Sequence, residues 1–337
     1  MIAIFNDEQF VKRGRLSVQI LQTFVQSIQG VMTIIVMIAV GYLLARWGWF
    51  NESATKLIAR LVTQIALPAY MIATITKQFT AHKLLSTLPG LRFPVLNMAI
   101  LFGISFGVMR ALNIKKSHRG LFASMFLNSN TVFIGLPVNQ ALFGNSALPY
   151  VLVYYMANTT IFWTLGVYLI QRDGTGTAKF DLKQTLTKIF SPPLLGFMIG
   201  VLLVLGNIHV PKFLMDDFSY IGGLTIPLSM IFIGISMANA GLSSMRFDRD
   251  SLGILLGRFI LAPVLMTLMF IPMSIPLEMK QVFILQSAMP VMTNAPVVSK
   301  LYGADADYAA VMVTETTLLS LIVIPILMVI VQANFIR

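Results

Sequence analysis

Residues 127–144 read LNSNTVFIGLPVNQALFG, and they lie inside an apolar run long enough to cross a bilayer. Unpartnered polar groups are costly in hydrocarbon, so Asn128, Ser129, Asn130 and Thr131 must be buried in protein or face a watery cavity. Pro137 cannot donate a helical hydrogen bond and clashes with the preceding turn, while Gly135 tolerates unwound backbone. The stretch reads as a membrane helix broken in two.

The pattern returns once. Residues 287–303, SAMPVMTNAPVVSKLYG, carry Thr293, Asn294 and Pro296 and end on Tyr302-Gly303, as the first stretch ends on Phe143-Gly144. The pairs Pro137/Pro296, Gly144/Gly303, Pro68/Pro227 and Gly41/Gly200 are each 159 positions apart. A constant offset with no net insertion predicts two copies of one unit. Pro/Gly-interrupted segments at matching places in two halves point to a transporter's binding site. Pro68 and Pro227 lack such polar clusters and read as kinks in supporting helices.

Composition agrees with a membrane setting. Of 337 residues 57% are hydrophobic and 11% charged, with mean hydropathy +0.81, whereas soluble domains carry about 25% charged residues. The net charge of +11 sits in short connections between apolar runs, which argues against a nucleic-acid partner. With no cysteine there is neither a disulfide nor a thiolate metal site, and the 21 methionines are scattered as packing residues. No cleavable signal is evident, and Gln19, Gln22, Gln26 and Gln29 recur at helical spacing, as on an interfacial helix or a wet helix face.

Ten apolar runs are legible, at about 22–46, 54–76, 91–111, 119–143, 147–171, 191–208, 217–239, 251–273, 279–302 and 306–334. The expected organisation is an N-terminal segment (1–21), a first repeat (22–171), a connection (172–190) and a second repeat (191–337). Five spans per copy is an odd number, so the second copy must lie upside down. The expected fold is therefore an all-α integral membrane protein: ten transmembrane helices in two inverted five-helix repeats, with crossed broken helices 4 and 9. With the N-terminus outside, fourteen Lys and Arg fall in inner connections against nine on the outer side, which places both termini outside a plasma membrane.

Glu315 lies in the last span, roughly 13 Å from its start at 1.5 Å per residue. A carboxyl at that depth is a functional candidate: a proton carrier, part of a cation site, or a protonated group bonded to neighbouring Thr or Asn. Arg258, in the eighth span, could pair with Glu315, bind substrate or reach back to the inner surface. The half-helices beginning near Pro137 and Pro296 aim N–H groups and positive dipole ends at the breaks, with Asn130, Thr131, Thr293 and Asn294 as side-chain donors. A carboxylate is the natural ligand of such an arrangement. The preceding half-helices end there in exposed carbonyls, which favour a cation.

Enzymatic motifs are absent or misplaced. Gly103-Ile104-Ser105-Phe106-Gly107 fits a nucleophile elbow only in letters, since it sits within an apolar helix, where its glycines read as helix packing. No metal-binding or phosphate-binding motif is present, and no cofactor is expected.

Residues 130–137, NTVFIGLP, followed by Phe143-Gly144, resemble the N-T-x-x-x-G-x-P…Y/F-G pattern of the auxin efflux carrier family. Met289-Pro290 through Lys300 and Tyr302, and the run from Thr316 to Pro325, are similar to it too. The resemblance covers nearly the whole chain, and the family's bacterial members look like permeases for malate, malonate and related acids. It implies a scaffold of spans 1, 2, 6 and 7, a mobile domain of spans 3–5 and 8–10, elevator-type movement, homodimers and a carboxylate-contacting role for Asn130. Two departures stand out: the 172–188 connection is short, and Ser191-Pro192 replaces the Asn-Pro with which many relatives open the sixth span.

The function expected is secondary transport of a small organic anion across the lipid bilayer, with Glu315 protonation as the coupling step. The alternative is a sodium-coupled carrier or sodium/proton exchanger on a related inverted-repeat fold. Lack of paired intramembrane acids counts against an exchanger, though carbonyls at the breaks could hold sodium.

Overall fold

A computed structural model describes residues 32–174, 190, 192–240 and 247–332. The N-terminal segment with its glutamines, most of the connection and Ser191 lie outside the described residues. Within them, secondary structure is helical apart from one isolated antiparallel bridge. The helices are α1 (Met32–Arg46), α2 (Glu52–Gln78), α3 (Ala81–Ala111), α4 (Arg119–Leu127), α5 (Leu136–Phe143) and α6 (148–174). After the connection come α7 (Pro192–Leu205), α8 (Lys212–Asn239), α9 (Arg249–Phe270), α10 (Leu277–Ser287), α11 (Ala295–Tyr302) and α12 (Ala306–Gln332). By length and composition, α2, α3, α8, α9 and α12 can each cross a membrane, and α1 and α7 are shorter apolar helices.

Pro296 lies in the first turn of its half-helix, where a missing N–H costs nothing, but the expected start near Pro137 is corrected: a π-helical turn at Thr131–Gly135 leads into α5, so helical backbone resumes six residues before Pro137. α5 and α11 are both eight residues long. Each is stopped by a glycine at positive φ, Gly144 at 69° and Gly303 at 71°, a region side-chain-bearing residues rarely adopt. Their bounds are 159 positions apart at both ends, as are the last residues of α1 and α7, and of α3 and α9. Pro68 follows a π-helical turn at Val62–Ala66 in α2, and Pro227 follows an interruption at Leu224 in α8.

Contacts at the helix ends sort the connections to two sides. On one, His118 meets Asp250 and Asp305 at 3.2 Å each, and the Leu121 N–H donates to Asp173 at 2.7 Å. On the other, Ser146 donates to Glu278 at 2.5 Å and Lys77 to Ser219 at 2.6 Å. The α4–α5 pair starts on the first side and the α10–α11 pair on the second, so the two broken helices run in opposite directions.

Glycines allow the closest helix approaches. α1 lies backbone-to-backbone on α8 through Gly41 and Gly234, and α7 lies on α2 through Gly196, whose Cβ would come within 2.6 Å of Pro68 Cα. The larger buried core includes Phe122, Phe126, Tyr154, Phe162, Phe270 and Phe283 on α4, α6, α9 and α10. Edge-on ring contacts link Phe93 to Phe270 at 5.0 Å and Tyr154 to Phe283 at 5.8 Å.

Two local expectations are revised. The third helix begins at Ala81, ten residues before the apolar run, because Thr80 caps its first turn and a 3₁₀ turn at Leu88–Leu91 absorbs Pro89. Among the described residues Gly103 and Gly107 make no helix contact, since a Cβ at either would meet nothing within 4 Å. Ser105 is no nucleophile elbow: its hydroxyl donates to Phe102 O within the helix at 2.6 Å.

Candidate functional site

The two unwound stretches meet. Ser129 pairs with Val291 in an antiparallel bridge, and the Asn130 N–H donates to Pro290 O at 2.8 Å. Other backbone groups released by the breaks are taken up by flanking helices. Asn158 of α6, fully buried, donates to Ser129 O at 2.8 Å and accepts from Ser129 N at 2.9 Å. On the opposite flank Thr316 of α12 accepts from Val291 N at 3.1 Å while bonding back to Met312 O. A buried backbone group without such a partner would cost about 1–3 kcal/mol.

Beside the crossing is a cavity of about 400 Å³, within the usual range for small-molecule sites. Asn130, Thr131, Thr293 and Asn294 all line it, so the structure brings these four expected residues together. Thr63 and Gln64 from the π-helical turn of α2, Pro192 and Pro193 opening α7, and Tyr155, Thr159 and Trp163 along α6 are also among its walls. Asn130 is 2% exposed, and its Oδ1 accepts from Phe133 N at 3.1 Å, which fixes the amide's orientation. Its Nδ2 then has no hydrogen-bond partner, and neither has the Thr159 hydroxyl. A cavity-lining residue at the start of the first half-helix thus carries a buried, unpaired amide donor, and both the donor and the helix start favour an anion.

The other expected residues stand behind this wall. Asn128 is buried against Asn158, donating to its carbonyl at 3.2 Å. Gly135 lets Gln286 approach, since a Cβ there would overlap the Gln286 amide. Neither Pro137 nor Pro296 lines the cavity; Pro296 lies in the first turn of α11 and Pro137 just past the π-helical turn that leads into α5.

Glu315 and Arg258 are both fully buried and lie outside the cavity walls. Glu315 accepts from the Ser251 hydroxyl at 2.7 Å. Arg258, two helical turns beyond Ser251 on α9, donates to Met289 O from Nε and Nη2 (3.1 Å each), to Phe126 O from Nη1 (3.2 Å) and to Ser287 O from Nη2. It lies at the ends of α4 and α10 rather than at a membrane surface.

Sequence reasoning missed the α2 and α6 walls and the support from Asn158. The signal was present: Tyr155, Thr159 and Trp163 recur every four residues on one face of an apolar helix, and Asn158 breaks the same run.

Comparison with known sequences bears on what such a site serves. The family described as Membrane transport protein matches residues 26–328. An uncharacterized transporter of Methanocaldococcus jannaschii is 26% identical over 303 residues, covering 87% of this chain and 95% of that protein. An uncharacterized transporter of Methanothermobacter thermautotrophicus is 24% identical over 314 residues, covering 90% and 98%.

Proposed function

This chain belongs to the membrane transport protein family, and on that premise we propose that it carries a small organic anion, a mono- or dicarboxylate such as malate or malonate, by secondary active transport. It is a multi-pass membrane transporter, not an enzyme. In this reading ten spans form two inverted repeats whose broken helices cross at the substrate site. The observation that carries it is the buried, unpaired Nδ2 of Asn130, a residue that lines the cavity beside the Asn130–Pro290 bond. A carboxylate accepts from that amide, with Thr131, Thr293 and Asn294 around it and no fixed acid among the cavity walls to repel it.

α1, α2, α7 and α8 act as the scaffold and α3–α6 with α9–α12 as the moving body. The cavity between α2, α7 and the crossing lies on the boundary between them. Displacement of one group past the other exposes the anion to each side in turn, which is elevator-type alternating access. Glu315 is the candidate proton carrier, held by Ser251 beyond the cavity wall.

The test is uptake of labelled malate into proteoliposomes with imposed pH or sodium gradients. Saturable uptake is expected, with Asn130→Ala reducing it at least tenfold, the loss of one charge-assisted bond of about 1.5–3 kcal/mol. Uptake by the variant equal to wild type would remove Asn130 from the site. Absence of uptake of malate or malonate under any gradient would withdraw these substrates.

A further inference from the structure

We infer that Arg258 is the carrier's resident cation, filling the carbonyl cage at the crossing in the place where a coupling sodium ion would bind. The inference rests on the transport reading above but concerns the other pole of the crossing. In inverted-repeat carriers half-helix C-termini and unwound carbonyls are the cation-binding groups. Here those carbonyls can be followed one by one. In a continuous helix Phe126 O would accept from the N–H of residue 130, but the Asn130 N–H goes to Pro290 O. Ser287 O would accept from residue 291, but the Val291 N–H goes to Thr316. The crossing itself therefore strips both carbonyls of their helical donors.

Arg258 supplies the replacement donors. Its guanidinium reaches Phe126 O, Ser287 O and Met289 O, joining the ends of two helices that arrive from opposite sides. The planar fork suits three carbonyls spread over two chain segments, which a lysine's point charge cannot span. The charge, fully buried, is offset by the negative ends of α4 and α10. With that pole filled covalently, only the anion-favouring N-terminal ends remain for a ligand. The crossing then binds a carboxylate without a co-bound metal cation, which sets this chain apart from a sodium-coupled carrier.

Purified protein in detergent is melted in sodium chloride and in choline chloride of equal ionic strength, with and without malate. A co-bound sodium would change the half-saturating malate concentration by about 5–150-fold, the usual size of coupling between two sites. Wild type is expected to show the same value and the same Tm in both salts. Arg258→Ala is expected to melt lower and to regain Tm in sodium or in dilute guanidinium chloride, neither of which raises the wild-type Tm. A sodium-specific rise in wild-type Tm or malate affinity would overturn the inference, as would an Arg258→Ala protein as stable as wild type with no cation response. If Arg258→Ala does not fold, Arg258→Lys is used, expected to melt lower than wild type, and the wild-type salt comparison decides. Loss of any malate response withdraws the substrate and leaves the salt-dependent Tm to judge Arg258.

Discussion

Asn158 and Thr159 are neighbours in sequence with opposite duties. Asn158 uses its amide to bond both backbone groups of Ser129, while Thr159, which lines the cavity, has a buried hydroxyl without a hydrogen-bond partner. Asn158→Ala leaves the buried Ser129 N–H unpaired, at about 1–3 kcal/mol, while Ser129 O keeps the Thr131 N–H at 3.0 Å, so a clear fall in Tm is expected. Thr159→Ala removes no hydrogen bond and is expected to lower Tm less than Asn158→Ala, while changing the half-saturating substrate concentration. Thermal melts and uptake on both variants check the division; equal stability loss in the two would refute it. At this scale the sequence showed which residues were out of place in an apolar helix. It could not show which served the backbone and which faced the cavity, because that depends on how far the helix is rotated.

The elements were more legible. Pro296 opens the second half-helix, and Gly144 and Gly303 close both, because these constraints act within a few residues along the chain, whereas the π-helical turn that starts the first half-helix at Thr131 was not legible. The carbonyls capped by Arg258 were not legible as its partners, since residues 126, 258, 287 and 289 meet only after three helices have packed. Gly41 and Gly200 hold matching positions but are crowded differently. A Cβ on Gly41 would lie 2.8 Å from Ile231 Cα and closer still to its carbonyl, whereas one on Gly200 would sit 3.0 Å from the Ile75 side chain. Backbone cannot yield as a side chain can, so Gly41→Ala is expected to cost about 1–3 kcal/mol and Gly200→Ala less. Melting curves of the two variants test the ranking, and a larger loss at Gly200 would contradict it.

At the scale of the whole molecule the proposed movement breaks contacts between the two groups of helices. Tyr70 on α2 donates to Gln140 on α5 at 2.9 Å, across that boundary. The chain has no cysteine, so Tyr70→Cys with Gln140→Cys introduces the sole thiol pair. A short thiol-reactive cross-linker there is expected to stop uptake while leaving ligand-induced thermal stabilisation, and a reducible linker should restore it. Full uptake by the cross-linked protein would exclude sliding at this boundary. Glu315→Gln is expected to abolish accumulation driven by a pH gradient and to leave substrate exchange, which needs no net proton movement. Unchanged pH-driven accumulation would remove Glu315 from coupling.

The Ser129–Val291 bridge is a fragment of β-sheet at the meeting of two opposed helices. One strand belongs to the first half of the chain and the other to the second, so neither half can complete its own hydrogen bonding. The breaks cannot open independently like a pair of gates, because parting them would expose both edges of that fragment. In the proposed cycle access alternates around a knot that stays tied, and the Asn130 backbone amide is expected to exchange its hydrogen slowly in every state.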